Sequence, residues 1–365
     1  MTAALVLVAL AGSLAYANGT NDISKGIATL VGSGVSSFRT AVVWGTLWTV
    51  FGGFVAAFAS QGLVATFSGK GFLDSPVEGA AFLSAVAIGA AAWILFASRT
   101  GLPVSTTHAI AGALAGAAIL AQGASALHWS TFGKKVAFPL AFSPILSIVL
   151  VFAVFPLLRR AVARVETYCV CIERRVTVLD GALAMGTVAS TVVVQKDEVC
   201  APAPAVAARL SAVDALHWLS SALTSFARGL NDTPKIVALG IVASAALGIS
   251  GVPFYFLVAL AMGAGSLIAG LRVTETLARK VTPMTPGEGF AANLVTTVLV
   301  GLASLAALPV STTHVSSGAI IGIGLHRGPG SVRWRTVREM LLAWLVTLPA
   351  AALLAGMAYA LLRQF

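Results

Sequence analysis

Long apolar runs separated by short polar stretches dominate the chain. A helix needs about 20 apolar residues to cross the hydrocarbon core of a bilayer. Runs close to or above that length lie at 40–59, 79–98, 136–158, 253–271, 287–308 and 339–362. Each of them predicts a membrane-spanning helix.

A second group of apolar runs is shorter, or is interrupted by glycine, proline or charge. These runs lie at 1–17, 23–35, 105–121, 211–227, 236–249 and 311–325. Because backbone polar groups in hydrocarbon must be satisfied, interrupted helices are tolerated where protein or a polar cavity surrounds the break. We therefore expect broken helices in these segments. The first run has no cation before Lys25, unlike a secretory signal, and predicts a helix of the mature protein.

Composition supports a membrane protein, since 58% of the residues are hydrophobic and only 10% are charged. The net charge of +10 does not indicate a nucleic-acid partner, because the cations lie in loops between the apolar runs, above all in 159–209. Clustered cations of this kind mark cytoplasmic loops. We expect a multi-pass protein of the inner or plasma membrane, surrounded by lipid, whose central loop is cytoplasmic.

Two motifs occur twice, in the same order. "YANGTNDISKGIATL" at 16–30 aligns with "FARGLNDTPKIVALG" at 226–240, an offset of 210 residues, and LPVSTTH recurs at an offset of 206. In the first pair of segments the identical positions include Gly19, Asn21, Asp22 and Lys25 with Gly229, Asn231, Asp232 and Lys235. The chain therefore divides into transmembrane repeats at 1–160 and 211–365, joined by a cytoplasmic linker at 161–210.

Loop charge predicts that the two repeats have opposite orientations. Loop 61–77 has one cation and its counterpart 272–286 has three, while loop 122–135 has two and its counterpart 326–338 has four. The predicted fold is an all-α polytopic membrane protein of two inverted-topology repeats, whose broken or re-entrant helices meet at a midplane site.

The central linker differs from the rest of the chain. Its β-branched runs on either side of an Asp-Gly pair predict a small hairpin, and "CAPAPAVAARL" predicts a linker into the second repeat.

Each LPVSTTH copy predicts a helix start within the membrane. Pro103 disfavours helical geometry before it, Ser105 is a good N-cap, and a new helix is expected over 106–121. The unpaired N–H groups of a helix start can bind an oxyanion together with nearby hydroxyls. The candidate substrate-binding hydroxyls are those of Ser105, Thr106, Thr107, Ser311, Thr312 and Thr313.

The repeated Asp-x-x-Lys pairs place charges inside apolar sequence, where each costs roughly 2.5–3.5 kcal/mol and usually has a function. Residues spaced i,i+3 share a helix face, so a structural salt bridge is the simplest account. Pro234 is expected at the first position of a helix, which predicts a second set of broken helices. Lys25 and Lys235 would contact an anion. The groups expected to contact the substrate or a coupling ion are Asn21, Asp22, Asn231 and Asp232.

The carboxylates favour phosphate over sulfate as the oxyanion. Phosphate at neutral pH keeps a proton that it can donate to a carboxylate, whereas sulfate is fully ionised and would be repelled. The preference weakens if Asp22 and Asp232 hold a cation instead.

The duplicated Asn-Asp pairs, the duplicated PVSTTH and "RVTETLARKVTPMTPGEGFAA" at 272–292 resemble the inorganic phosphate transporter family. The resemblance covers both repeats. It implies a secondary carrier that moves phosphate with sodium or protons by alternating access, with the Asn-Asp and Ser-Thr-Thr segments forming the site and sodium ions at Asp22 and Asp232. No other cofactor is implied, and we expect a homodimer.

The chain departs from the family pattern G-A-N-D-x-A-N, because Lys25 and Lys235 stand where asparagine is usual. A lysine ammonium could take the place of sodium, which predicts weaker sodium dependence or proton coupling. Alternatives are a sulfate permease of the same fold and a passive anion channel. An enzyme is not expected, because no hydrolase or metalloprotease motif accompanies these residues.

Overall fold

A computed structural model of the protein describes residues 1–68, 73, 79–165, 168–177, 187–196 and 206–364. The helices of the first part are α1 (Thr2–Asp22), α2 (Ser24–Gly32), α3 (Phe38–Ala59), α4 (Gly62–Phe67), α5 (Ala80–Thr100), α6 (Thr106–Gln122), α7 (Trp129–Phe132) and α8 (Phe138–Val165). The strands are β1 (Tyr168–Thr177), β2 (Thr187–Lys196) and β3 (Val206–Ser211). The later helices are α9 (Ala212–Ala246), α10 (Val252–Ala269), α11 (Leu271–Arg279), α12 (Pro286–Leu305), α13 (Thr312–Arg327) and α14 (Trp334–Leu362).

The protein is a multi-pass membrane protein. Within the described residues, 7 helical stretches are long and apolar enough to cross a bilayer. They are Thr2–Gly32, Phe38–Ala59, Ala80–Thr100, Phe138–Val165, Val252–Ala269, Pro286–Leu305 and Trp334–Leu362. Every one of the six long apolar runs coincides with one of these stretches, so the predicted spans are confirmed.

Three of the expected helix breaks are present. A non-helical segment precedes α6, after Gly101 ends α5 in the left-handed region with φ 76°. A second precedes α13, where Ala307 also has a positive φ of 55°. The break at Ile23 is milder, because this residue keeps helical angles of φ −55° and ψ −33°.

The break predicted at Pro234 is wrong. The 35 residues of α9 form one helix, with Pro234 inside it. Proline removes the hydrogen bond to the carbonyl of Leu230, but its fixed φ is compatible with a helix. Helix α9 packs against α3 and α12 and continues through the proline without a break.

The two repeats are intertwined rather than side by side. Helix α1 of the first repeat packs on α10 of the second, and α9 of the second packs on α3 of the first. Both contacts rely on a repeated glycine. A Cβ at Gly19 would overlap the carbonyl of Met262, and one at Gly229 would overlap that of Thr49. Small residues at such crossings allow helix backbones to approach closely.

The central stretch forms a small sheet outside the transmembrane helices. Strands β1 and β2 pair as an antiparallel hairpin, and β3 pairs with the other edge of β1. Residues 206–211, which we expected to belong to a linker, are therefore a strand. The Asp-Gly pair expected at the hairpin turn lies outside the described residues.

Candidate functional site

The side chain of Asn18 connects the aspartates of the two repeats. Its Nδ2 atom lies 3.1 Å from Oδ2 of Asp22 and 3.2 Å from Oδ2 of Asp232. The same atom lies 2.9 Å from Oγ1 of Thr106 at the start of α6. All four side chains are buried. One amide therefore lies at the point where α1, α6 and α9 meet.

Lys25, in the first turn of α2, is held by oxygens at the end of α1. Its Nζ atom lies 2.8 Å from Oδ1 of Asp22, 2.8 Å from Oδ1 of Asn21 and 2.9 Å from the carbonyl oxygen of Asn21. The i,i+3 spacing of Asp22 and Lys25 sets this geometry, because both side chains lie on one face. Three acceptors satisfy the three ammonium hydrogens.

Lys235 differs from Lys25 because it reaches across to the first repeat. Its Nζ atom lies 3.2 Å from Oδ1 of Asp232, 3.0 Å from the carbonyl oxygen of Val310 and 2.7 Å from Oγ1 of Thr107. The Asp232–Lys235 pair therefore connects the two repeats, because Lys235 also contacts Thr107.

The two Ser-Thr-Thr segments bind each other. Thr107 donates a hydrogen bond of 3.1 Å to the carbonyl of Val310, and Thr313 donates one of 2.7 Å to the carbonyl of Val104. The rings of His108 and His314 lie 4.6 Å apart between their centroids. The N-termini of α6 and α13 therefore meet in the interior.

Ser105 and Ser311 are the N-caps that the sequence predicts. The Oγ atom of Ser105 accepts a 3.2 Å hydrogen bond from the backbone N–H of His108, and Ser311 does the same for His314. Thr106 contacts Asp22 as well as Asn18, with 3.3 Å between its Oγ1 and Oδ2 of Asp22. Thr312 is buried at the equivalent position of α13.

Asn21 and Asn231 hold the non-helical segments that precede these caps. Asn21 donates to the carbonyl of Leu102 at 3.0 Å and accepts from the N–H of Val104 at 3.1 Å. Asn231 lies 3.1 Å from Asp232 Oδ1 and 3.4 Å from the carbonyl of Val310. These two amides thus orient the segments around the aspartates.

Two residues in this region were not singled out from the sequence. Asn18 and Arg228 occupy the same position of the repeat, 210 residues apart. Both are completely buried. The signal was a polar side chain in an apolar run, which is a functional indication in membrane helices. A comparison of positions identical in both repeats does not reveal this signal, because Asn18 and Arg228 differ.

The oxygen atoms of the site determine whether it can bind a coupling cation. Hard cations such as sodium need several converging oxygens. In each repeat, an oxygen of the Asp-x-x-Lys aspartate contacts a lysine ammonium. The described residues contain no group of three or more His, Cys, Asp or Glu side chains that could hold a metal ion. One oxygen of each aspartate is thus engaged by Lys25 or Lys235, and the other oxygen of each faces Asn18.

A cavity of about 490 Å³ lies next to this site. Thr20 and Ser98 line it, together with the cations Arg99 and Arg272. Ser98 is also 3.1 Å from Nδ2 of Asn21. The cavity therefore carries positive charge and is separated from the buried site by one layer of side chains.

The chain is similar to known proteins along nearly all of its length. The model of the phosphate transporter family matches residues 18–355. The "probable low-affinity inorganic phosphate transporter" of Bacillus subtilis is 30% identical, over 100% of this chain and 98% of that protein. The protein of the same name from Rhizobium meliloti is 29% identical, over 97% of this chain and 94% of its own length. A solved structure entitled "The sodium-dependent phosphate transporter" covers 100% of both chains at a TM-score of 0.79 and 22% identity, which supports the fold.

Proposed function

The chain belongs to the phosphate transporter family, and we propose that it is a secondary carrier of inorganic phosphate in the cell membrane. Alternating access would expose the Asp22–Asp232 site to each side in turn, with the central sheet in the cytoplasm. The proposal is supported by one observation above all, the convergence of charged and hydroxyl side chains from both repeats at Asn18.

The charge of the site favours an anionic substrate. Asp22 and Asp232 contribute two negative charges, while Lys25, Lys235 and Arg228 contribute three positive ones, so one positive charge is left over. An uncompensated charge is costly in a low-dielectric interior. Binding of one negative charge restores neutrality. The helix N-termini of α6 and α13 add partial positive charge beside the same groups.

Complete burial of the site favours a carrier over a passive channel. Asn18, Lys235 and Arg228 are 0% exposed, and Asp22, Lys25 and Asp232 are 1% exposed. A substrate can reach such a site only after helices move apart, which is the requirement of alternating access. The cavity lined by Arg99 and Arg272 would give an anion a positively charged approach towards the site.

We further propose that protons rather than sodium drive the carrier. The two lysine ammonium groups contact the carboxylate oxygens that a sodium ion would need. They move with the protein and cannot be released on the other side of the membrane. A proton gradient would then supply the driving force, because protons can accompany phosphate itself.

The carboxylates also support phosphate over sulfate as the substrate. Protonated phosphate can donate a hydrogen bond to Asp22 or Asp232, and sulfate cannot. The test is uptake of labelled phosphate by liposomes that contain the purified protein, with unlabelled sulfate in excess. Saturable uptake that sulfate leaves unchanged supports the proposal, whereas uptake of sulfate in place of phosphate refutes it.

A further inference from the structure

Among the described residues, Arg228 has no hydrogen-bond partner although it lies in the interior of a membrane protein. Its side chain is 0% exposed, and among the described residues no acceptor contacts Nε, Nη1 or Nη2. A buried cation without partners costs several kcal/mol, so interior charges are normally paired. The guanidinium group of Arg228 therefore lacks an acceptor within the part of the chain that the structure describes.

The position of Arg228 connects it with the Asp22–Asp232 site. It is the repeat counterpart of Asn18, whose amide contacts both aspartates. Its charge interacts electrostatically with Asp22, Lys25 and Asp232, yet it forms no ion pair with either carboxylate. Both aspartates are already bound by their own lysines. The guanidinium group thus lies near the Asp22–Asp232 site but forms no hydrogen bond with the described residues.

A second unpartnered donor lies on α12, the helix that Thr224 of α9 contacts. Thr224 precedes Arg228 by four residues, on the same face of α9, and donates a 3.0 Å hydrogen bond to the carbonyl of Asn293 on α12. The Nδ2 atom of Asn293 is buried and has no acceptor among the described residues. Unpartnered donors on facing helices indicate that the missing acceptor is a ligand.

We propose that Arg228 is a substrate-binding residue, whose guanidinium group binds two oxygens of the transported phosphate. The inference rests on the proposed function and adds to it a residue that determines affinity. Guanidinium is planar and presents parallel N–H groups, which match the oxygen spacing of a phosphate group, whereas an ammonium is a point charge. Arg228 is also the excess cation of the site, since the other two are paired.

The experiment compares wild type, Arg228→Gln and Arg228→Lys in liposomes, with Arg335→Gln as the control. Arg335 lies on α14, is 88% exposed and pairs with the exposed Glu339. Hydrogen bonds to a charged group contribute about 1.5–3 kcal/mol, so we expect the KM for phosphate of Arg228→Gln to rise about 10- to 100-fold. Arg228→Lys should recover part of the loss, and Arg335→Gln should behave as wild type.

A second measurement distinguishes binding from a structural role. Phosphate should raise the unfolding temperature of the wild-type protein in detergent, because a ligand of the native state stabilises it. Arg228→Gln should lose this increase, while its unfolding temperature without phosphate stays equal or rises. A lower unfolding temperature without phosphate, with the increase retained, would show a structural arginine and overturn the inference.

The two proposals fail in different ways. Wild-type protein that does not transport phosphate refutes the proposed function, whatever the variants do. Wild-type protein that transports phosphate, together with Arg228→Gln at an unchanged KM, leaves the function in place and refutes the role of Arg228.

Discussion

The Nδ2 atom of Asn18 lies 3.2 Å from Oδ2 of Asp232, although 214 residues separate them in the sequence. The same atom is 3.1 Å from Oδ2 of Asp22. Two carboxylates from different repeats thus share one amide, and each also contacts its own lysine. Both repeats therefore supply side chains to the site, and a substitution in either repeat should affect all of it.

Loss of either carboxylate should stop transport. Asp22→Asn leaves the buried ammonium group of Lys25 without its carboxylate partner. Asp232→Asn likewise leaves the ammonium group of Lys235 without a carboxylate. Breaking a buried pair on one side costs about 3–5 kcal/mol. That cost falls on folding stability. We expect phosphate uptake per folded molecule to fall as well, about 10- to 100-fold, because the substrate loses a hydrogen bond to a charged group, which contributes about 1.5–3 kcal/mol.

The matched control is Glu339→Gln, which neutralises a carboxylate that is 52% exposed. Uptake should be normalised to the amount of folded protein in the liposomes. Wild-type rates from an Asp22→Asn, Asp232→Asn double variant would defeat the assignment of the site.

Replacing the lysines should change the response to sodium. In the wild type, the ammonium groups of Lys25 and Lys235 each contact one carboxylate oxygen, Oδ1 of Asp22 and Oδ1 of Asp232. We therefore expect phosphate uptake that follows an imposed pH gradient and is little affected by a sodium gradient. Lys25→Asn with Lys235→Asn frees these oxygens and should make any remaining uptake depend on sodium. Wild-type uptake that sodium stimulates equally at acid and alkaline pH would refute this prediction.

Two glycines of the same helix should differ sharply in their tolerance of alanine. A Cβ at Gly19 would overlap the carbonyl of Met262, where α1 crosses α10, whereas a Cβ at Gly12 would meet nothing within 4 Å. Overpacking costs about 1–3 kcal/mol. Gly19→Ala should thus lower the unfolding temperature in detergent. Gly12→Ala should leave it unchanged or raise it, because alanine favours a helix by about 0.5–1 kcal/mol. Equal unfolding temperatures would contradict the close crossing.

The two interlocking threonines should differ because only one contacts a lysine. Thr107 and Thr313 each donate to a carbonyl of the other repeat, but Thr107 also accepts from Lys235 at 2.7 Å. Leaving a buried polar group unpaired costs about 1–3 kcal/mol, and more for a charged one. Valine at either position should lower stability, and Thr107→Val should reduce the rate of phosphate uptake more than Thr313→Val does. A larger loss in Thr313→Val would contradict the assigned role of Lys235.

Much of the helical framework was predictable because hydrocarbon imposes a simple length rule. Each of the six long apolar runs coincides with a candidate span. The caps at Ser105 and Ser311 were predictable as well, since proline followed by serine marks a helix start and the motif occurs twice. Both features depend on local sequence alone.

Other features depend on contacts that local sequence does not encode. Pro234 predicts a helix start, but α9 continues through it as one helix that packs on α3 and α12. The sequence of residues 206–211 predicts a linker. In the structure these residues form β3, because one edge of β1 is available for pairing. Arg228 and Asn18 were missed because they differ between the repeats, and their importance appears only where the repeats meet.

The central claim is that the buried Asp22–Asp232 site carries phosphate across the membrane. Its most direct test is the initial rate of labelled phosphate uptake into liposomes, with wild type and the Asp22→Asn, Asp232→Asn double variant measured in parallel under an imposed pH gradient. We expect saturable uptake by the wild type, unaffected by excess sulfate, and background uptake by the variant. Sulfate uptake in place of phosphate, or equal phosphate uptake by both proteins, would contradict the claim.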